Sequence, residues 1–84
     1  MTNSHNTTDH NHIKQWTEER DGRPAVVEGT ESEDSALLRI DFGEPEENLK
    51  SISWSEFFNI FDKNKLSFLH SDEKDNRFFK FVYE

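Results

Sequence analysis

The feature that most constrains the fold is segment 52–61, which carries both a helix start signal and an apolar helical face. Ser53 and Glu56 stand three residues apart, the spacing of a capping box, in which the serine oxygen accepts from a free backbone N–H and the glutamate reaches back to the cap. Ile52 and Phe57 have the spacing of the matching hydrophobic staple. The aromatic residues recur at the spacing of one helical face: Trp54, Phe57, Phe58 and Phe61. The segment therefore predicts an amphipathic helix packed on a core.

That core must be built from few residues. A chain of 84 residues forms one domain at most and buries a thin core. Eight Phe, two Trp and one Tyr supply apolar area on the order of 150–250 Å² each. The hydrophobic fraction is 31% and the charged fraction 33%, a composition that alone would permit disorder. The apolar residues nevertheless cluster with regular periodicity, and this favours a folded domain.

The charge balance excludes several classes of protein. Eighteen acidic and ten basic side chains give a net charge of −8, which repels nucleic acid backbones and anionic membrane surfaces.

The sequence has no cysteine, which excludes disulfides and thiolate zinc sites. It also has a polar N-terminus and no long apolar run, so we expect neither a signal peptide nor a membrane span, and a cytoplasmic location.

The remaining pattern predicts a second helix and four strands. Residues 1–8 are polar without periodicity and are expected to be a disordered tail, followed by a single domain over residues 9–84. We predict helices over 9–20 and from 53 to about 64, and strands over 25–28, 36–42, 66–70 and 77–83. Thr8 or Asp9 can cap the first helix, and Gly22 is expected to take the left-handed conformation after its end.

The order of these elements predicts an α+β fold: helix, hairpin, helix, hairpin. Because the link between the first two strands is too short for a parallel crossover, they pair as an antiparallel hairpin. We expect a mostly antiparallel four-stranded sheet with two helices on one face. Either hairpin can occupy the centre of that sheet.

Four segments carry a family resemblance: 13–27 (IKQWTEERDGRPAVV), 38–42 (LRIDF), 52–58 (ISWSEFF) and 66–69 (LSFL). They resemble a family of short bacterial proteins that often bear the label "1,4-alpha-glucan branching enzyme", and the resemblance covers roughly residues 8–82. The chain differs from the usual pattern at Asp21, where a second glycine is common, and at His70, where an aromatic is common. The label implies an amylase-type barrel of about 250 residues or more. A chain of 84 residues cannot form one.

Residues that could perform catalysis or hold a metal show no supporting pattern. Three of the four histidines, His5, His10 and His12, lie in or beside the polar tail, and His70 is far along the chain, so we predict no metal site and no cofactor. No two carboxylates are singled out as an acid–base pair, and no serine stands in a nucleophile elbow. The sequence therefore predicts a protein that is not an enzyme.

Two pairs of residues are candidates for binding. Trp16 and Trp54 could stack on a sugar, although each falls on the apolar face of its helix and a core role is favoured. Arg20 and Arg23 flank a tight turn and could bind an anion, although ion pairs that hold the turn are the favoured interpretation.

The acidic residues are concentrated in the middle of the chain. Segment 28–47 holds eight acids and one base, a net charge of −7. Two predicted loops in this segment contribute the candidate interaction residues Glu31, Glu33, Asp34, Glu44, Glu46 and Glu47. Such a face can steer a basic protein partner or a second copy of the chain. We therefore expect a non-catalytic acidic protein-interaction domain. An accessory glucan-binding module using exposed tryptophan is the alternative, and a small enzyme is the least favoured hypothesis.

Overall fold

The computed structural model describes residues 4–32, 35–43 and 48–83, which fold into two helices and six strands. In chain order the elements are β1 (Ser4–Thr7), α1 (His10–Glu19), β2 (Arg23–Val27), β3 (Leu38–Asp41), β4 (Leu49–Ser51), α2 (Trp54–Lys63), β5 (Leu66–Ser71) and β6 (Phe79–Tyr83). The strands form two three-stranded antiparallel sheets, ordered β1-β5-β6 and β3-β2-β4. The Cα radius of gyration is 12.2 Å. The predicted α+β class is confirmed.

The predicted single four-stranded sheet is wrong, because two short strands were not foreseen and each extends a different hairpin. The β2–β3 and β5–β6 hairpins are present with antiparallel register, as predicted. β4 then adds to the free side of β2, and β1 adds to the free side of β5. The result is two separate sheets with β2 and β5 at their centres.

The predicted disordered tail is wrong for Ser4–Thr7, which form β1. The sequence of β1 is polar throughout and has no apolar alternation, so it carried no strand signal. It is held by antiparallel pairing with β5, in the register Ser4↔Ser71 to Thr7↔Phe68. Residues 1–3 of the predicted tail lie outside the described part of the chain.

Both helices begin at the predicted caps. The Ser53 hydroxyl accepts a hydrogen bond from the backbone N–H of Glu56 at 3.1 Å, so the serine half of the capping box is in place. The side chain of Asp9 accepts from the first turn of α1. α2 ends at Asn64 as predicted, but the residue with positive φ is Lys65, at 51°.

The turn after α1 differs from its prediction. Asp21, with φ 58°, takes the left-handed conformation that was expected of Gly22. Gly22 is needed for a different reason: a Cβ at this position would lie 2.7 Å from Ile40, 2.8 Å from Phe42 and 2.9 Å from Thr17. The missing side chain therefore lets the end of α1 approach β3 closely.

The core joins both helices to both sheets. Its buried apolar residues are Ile13, Trp16, Val26, Leu38, Ile40, Phe57, Phe61 and Phe68. The predicted apolar face of α2 is divided, since Phe57 and Phe61 are buried whereas Trp54 and Phe58 are partly exposed and pack at the margin of the core. No helix in the described ranges is long and apolar enough to cross a membrane.

Candidate functional site

A groove lies between the outer strands of the two sheets, and we call it the β3–β6 groove. It is lined by residues 35–39, which lead into and include the start of β3, by four residues of β6, and by Asn64 and Leu66. Its volume is about 480 Å³, within the range of roughly 300–1,000 Å³ that is common for binding sites.

Both strands at this groove are edge strands. β3 ends one sheet and β6 ends the other, so each has a strand neighbour on one side within the described residues. The other side of an edge strand presents backbone N–H and C=O groups that can pair with a further strand. The groove therefore brings two such edges to one place.

Two of the three exposed large apolar side chains in the described part of the chain line the groove. Tyr83 is 81% exposed and Leu37 53% exposed, and both line it. The third, Phe78, is 44% exposed and immediately precedes β6. A group of exposed apolar side chains beside a concave surface is typical of a protein or ligand contact.

Two basic residues are among the described lining residues of the groove. Arg39 and Lys80 line it, and no aspartate or glutamate is among its described lining residues. Lys80 lies on the edge strand β6, where its backbone pairs with Leu69 of β5. Both basic residues lie in a chain whose net charge is −8.

The acidic residues predicted as an interaction face are described only in part. Glu31 forms an ion pair with Lys50, with Oε2 and Nζ 3.3 Å apart. The other five candidates, Glu33, Asp34, Glu44, Glu46 and Glu47, lie outside the described residues.

Arg20 contacts mainly backbone carbonyls, whereas the sequence favoured ion pairs with nearby carboxylates. It is 8% exposed, and its Nε and two terminal nitrogens donate to the backbone carbonyls of Asn76, Glu73 and Trp16 at 2.7 to 3.0 Å. Its guanidinium also lies 4.3 Å from the centre of the Trp16 ring. Arg23 is exposed at the start of β2, opposite Asp41. The two arginines therefore stand in different environments.

The tryptophans present little open ring surface. Trp16 is 4% exposed, and its Nε1 donates to the carbonyl of Ser71 at 2.8 Å. Trp54 is partly buried, and one face of its ring stacks on Phe58 with centroids 5.3 Å apart. Trp16 in particular has no face available to a sugar.

Three histidines that are distant in sequence come together beside Trp16, a grouping that sequence reasoning missed. The Nε2 atoms of His12 on α1 and His70 on β5 are 3.1 Å apart. His5 pairs directly opposite His70 in the β1–β5 ladder, with ring centroids 6.1 Å apart. Its Nε2 lies 3.4 Å from Oδ2 of Asp72. We call these four residues the histidine cluster.

His70 is the most constrained member of the cluster. It is 1% exposed, and its Nδ1 lies 3.0 Å from the carbonyl oxygen of Ser71. A carbonyl only accepts, so Nδ1 carries the proton and Nε2 presents its lone pair to His12. Burial lowers the pKa of His70, the Ser71 carbonyl opposes that shift, and the nearby His12, His5 and Arg20 lower the pKa further.

The remaining histidine stands apart from the cluster. Nε2 of His10 lies 2.9 Å from Oδ1 of Asp62, and its ring stacks on Phe58 at 4.1 Å. Across the described residues, no group of three or more His, Asp or Glu side chains is arranged to hold a metal ion. The clustering depends on the strand β1 and on a contact between residues 58 positions apart, and neither leaves a local signal in the sequence.

Comparison with known proteins gives no match: no family model, no curated protein and no solved structure is detectably similar to this chain. The resemblance to the short bacterial family therefore stays a prediction.

Proposed function

We propose that this chain is a non-catalytic protein-interaction domain that binds its partner in the β3–β6 groove. The observation that carries the proposal is the pair of exposed apolar side chains, Leu37 and Tyr83, in a groove where two strand edges have no further strand neighbour among the described residues. Exposed edges are costly in a folded protein unless they are protected or used, because they recruit further strands.

The partner segment that fits this groove is extended. A strand added to β3 or β6 would gain main-chain hydrogen bonds, and alternate apolar side chains would contact Leu37 and Tyr83. Lys80, an exposed cation in the groove lining, favours acidic side chains at the intervening positions. We therefore propose an extended partner segment in which apolar and acidic residues alternate.

A basic partner has less support in the groove itself, because Arg39 and Lys80 are among its described lining residues. A glucan-binding role also has less support, because Trp16 is buried and Phe58 covers one face of Trp54. A catalytic role has less support too, because the described residues of the groove lining include no carboxylate and no histidine.

The proposal is tested by photo-crosslinking in cells that produce the protein. A photoreactive p-benzoylphenylalanine is placed at Tyr83, and as the control at Lys14, an exposed residue of α1 that is not part of the groove lining. We expect Tyr83 to yield a reproducible protein adduct that Lys14 does not yield. Equal adducts at both positions, or none at Tyr83, would contradict the proposal.

A variant series then tests the chemistry of the partner with purified proteins. Leu37→Asp combined with Tyr83→Asp is expected to weaken binding at least about tenfold, as for central interface residues. Lys80→Glu is expected to weaken an acidic partner and to strengthen a basic one, so its sign distinguishes the two. Lys14→Ala is the matched control and should leave the affinity unchanged.

A further inference from the structure

We infer that His12 and His70 form the nucleus of a binding site for a divalent transition metal such as Zn²⁺, completed by His5. The site does not depend on the proposed interaction groove, since none of its residues lines that groove. Three features of the histidine cluster support such a site: the separation of two nitrogens, the anchoring of one ring, and the position of a third histidine.

The separation of the two nitrogens suits a shared metal ion. Imidazole nitrogens bound to zinc lie about 2.0–2.1 Å from the metal, and a tetrahedral angle then places two of them roughly 3.3 Å apart. The Nε2 atoms of His12 and His70 are 3.1 Å apart. The two ring centroids are 5.0 Å apart and the rings are inclined by 42°. Small side-chain adjustments would therefore let both nitrogens bind one ion.

The His70 ring is already oriented as a metal ligand. Histidines that bind metals usually donate the other ring N–H to a carbonyl or carboxylate, which fixes the tautomer and aims the free nitrogen. Nδ1 of His70 makes this contact with the Ser71 carbonyl, and the ring is held in the core beside Trp16 and Phe68. The nitrogen that faces His12 is thus preorganised and unprotonated.

His5 supplies the third ligand by rotation of its side chain. It lies opposite His70 in the β1–β5 pairing, so both residues stand at the same register position of adjacent strands. Its side chain is 57% exposed and can turn toward the pair, whereas its present contact is with Asp72. That carboxylate can then orient His5 or take a further position on the metal.

The choice of metal follows from the ligands. Imidazole nitrogens suit Zn²⁺, Cu²⁺ and Ni²⁺, whereas Mg²⁺ and Ca²⁺ require oxygen ligands. A small cavity of about 170 Å³ adjoins the pair and is lined by His12, His70 and Asp72 among others. It offers room for water on the metal.

The competing interpretation is a neutral hydrogen bond from Nε2–H of His12 to Nε2 of His70. It accounts for the 3.1 Å separation without any ion, and it predicts no gain in affinity from His5. Incidental chelation by the histidine-containing N-terminal segment is the other competitor, and it would depend on His10 as much as on His12.

The test is titration of the chelator-treated full chain with zinc chloride, followed by calorimetry at neutral pH. We expect one Zn²⁺ per chain, with affinity at least about tenfold weaker in His12→Gln and in His70→Gln, and a smaller loss in His5→Gln. His10→Gln is the matched control and should bind like the wild type. Binding of Co²⁺ should give the visible spectrum of a tetrahedral site, and His12→Gln should lose it.

Two results would overturn the inference: the absence of stoichiometric Zn²⁺ binding, or an equal loss of affinity in His10→Gln and His12→Gln. His70 is buried, and its replacement can unfold the chain, so circular dichroism accompanies each variant. His12 is exposed, so its variant is expected to fold and is decisive on its own.

Discussion

At the scale of single residues, the structure assigns clear roles to positions whose sequence signals were ambiguous. Asp21 takes the left-handed turn conformation, and Gly22 permits close packing of α1 on β3. The sequence predicted a residue with left-handed backbone conformation at this turn. Only the positions of Ile40 and Phe42 show why position 22 must be glycine. Nonlocal packing of this kind has no local sequence signature.

Gly22→Ala is expected to destabilise the fold. A Cβ would lie 2.7 Å from Ile40 and 2.9 Å from Thr17, and such overpacking costs about 1–3 kcal/mol of unfolding free energy. Urea denaturation measures the change. Lys14→Ala, at an exposed position of α1, should change the free energy of unfolding by no more than about 0.5 kcal/mol. Equal midpoints for the glycine variant and the wild type would show that the packing is looser than described.

The two arginines at the turn should differ in their effect on stability. Arg20→Ala removes three hydrogen bonds to backbone carbonyls and is expected to lower the free energy of unfolding by about 2–4 kcal/mol. Arg23→Ala, at an exposed position, should cost no more than about 0.5 kcal/mol. If the order of the two effects is reversed in thermal denaturation, the structural role assigned to Arg20 is incorrect.

The buried His70 should make the stability of the metal-free protein depend on pH. Because burial lowers its pKa from 6.5, the unfolded chain binds a proton more readily than the folded one. The free energy of unfolding therefore falls as pH drops below about 6.5 and towards the lower folded-state pKa. Denaturation in the presence of a chelator, at pH values between about 8 and 5, measures this pH dependence. His70→Phe should flatten the dependence. An unchanged slope in that variant would show that other groups cause the pH dependence.

At the scale of elements, prediction succeeded where the signal was local and failed where pairing was nonlocal. The start of α2, the end of α2 at Asn64 and both hairpins follow from caps, periodicity and short links. β1 and β4 are short, and β1 is entirely polar, so their existence depends on the free edges of β5 and β2. Because β1 and β4 extend different hairpins, the strands form two sheets where one was predicted.

The N-cap of α2 offers a test with a matched control two residues away. Ser53→Ala removes the acceptor for the Glu56 N–H and is expected to lower the free energy of unfolding by about 1 kcal/mol. Ser55→Ala changes the same side chain at an exposed position inside α2 and should be close to neutral. Similar denaturation curves for the two variants would show that the Ser53 cap does not contribute measurably to stability.

At the scale of the whole molecule, the sequence predicted the sign of the net charge but not which basic and exposed apolar residues share a groove. Arg39 and Lys80 are far apart in the chain, and they share a groove because β3 and β6 end their respective sheets. The histidine cluster is assembled in the same way, from β1, α1 and β5. Both candidate sites are formed by tertiary packing, and for this reason no local sequence motif indicates either of them.

The most direct test of the central claim is amide hydrogen exchange of the domain with and without the partner identified by crosslinking at Tyr83. The fold supplies its own control, because β1 and β4 are edge strands as well. We predict that bound partner slows exchange in β3, in β6 or in both, and leaves β1 and β4 unchanged, since an added strand protects only the amides that it pairs. Slowed exchange at β1 or β4, or no change at β3 and β6, would contradict binding in the groove.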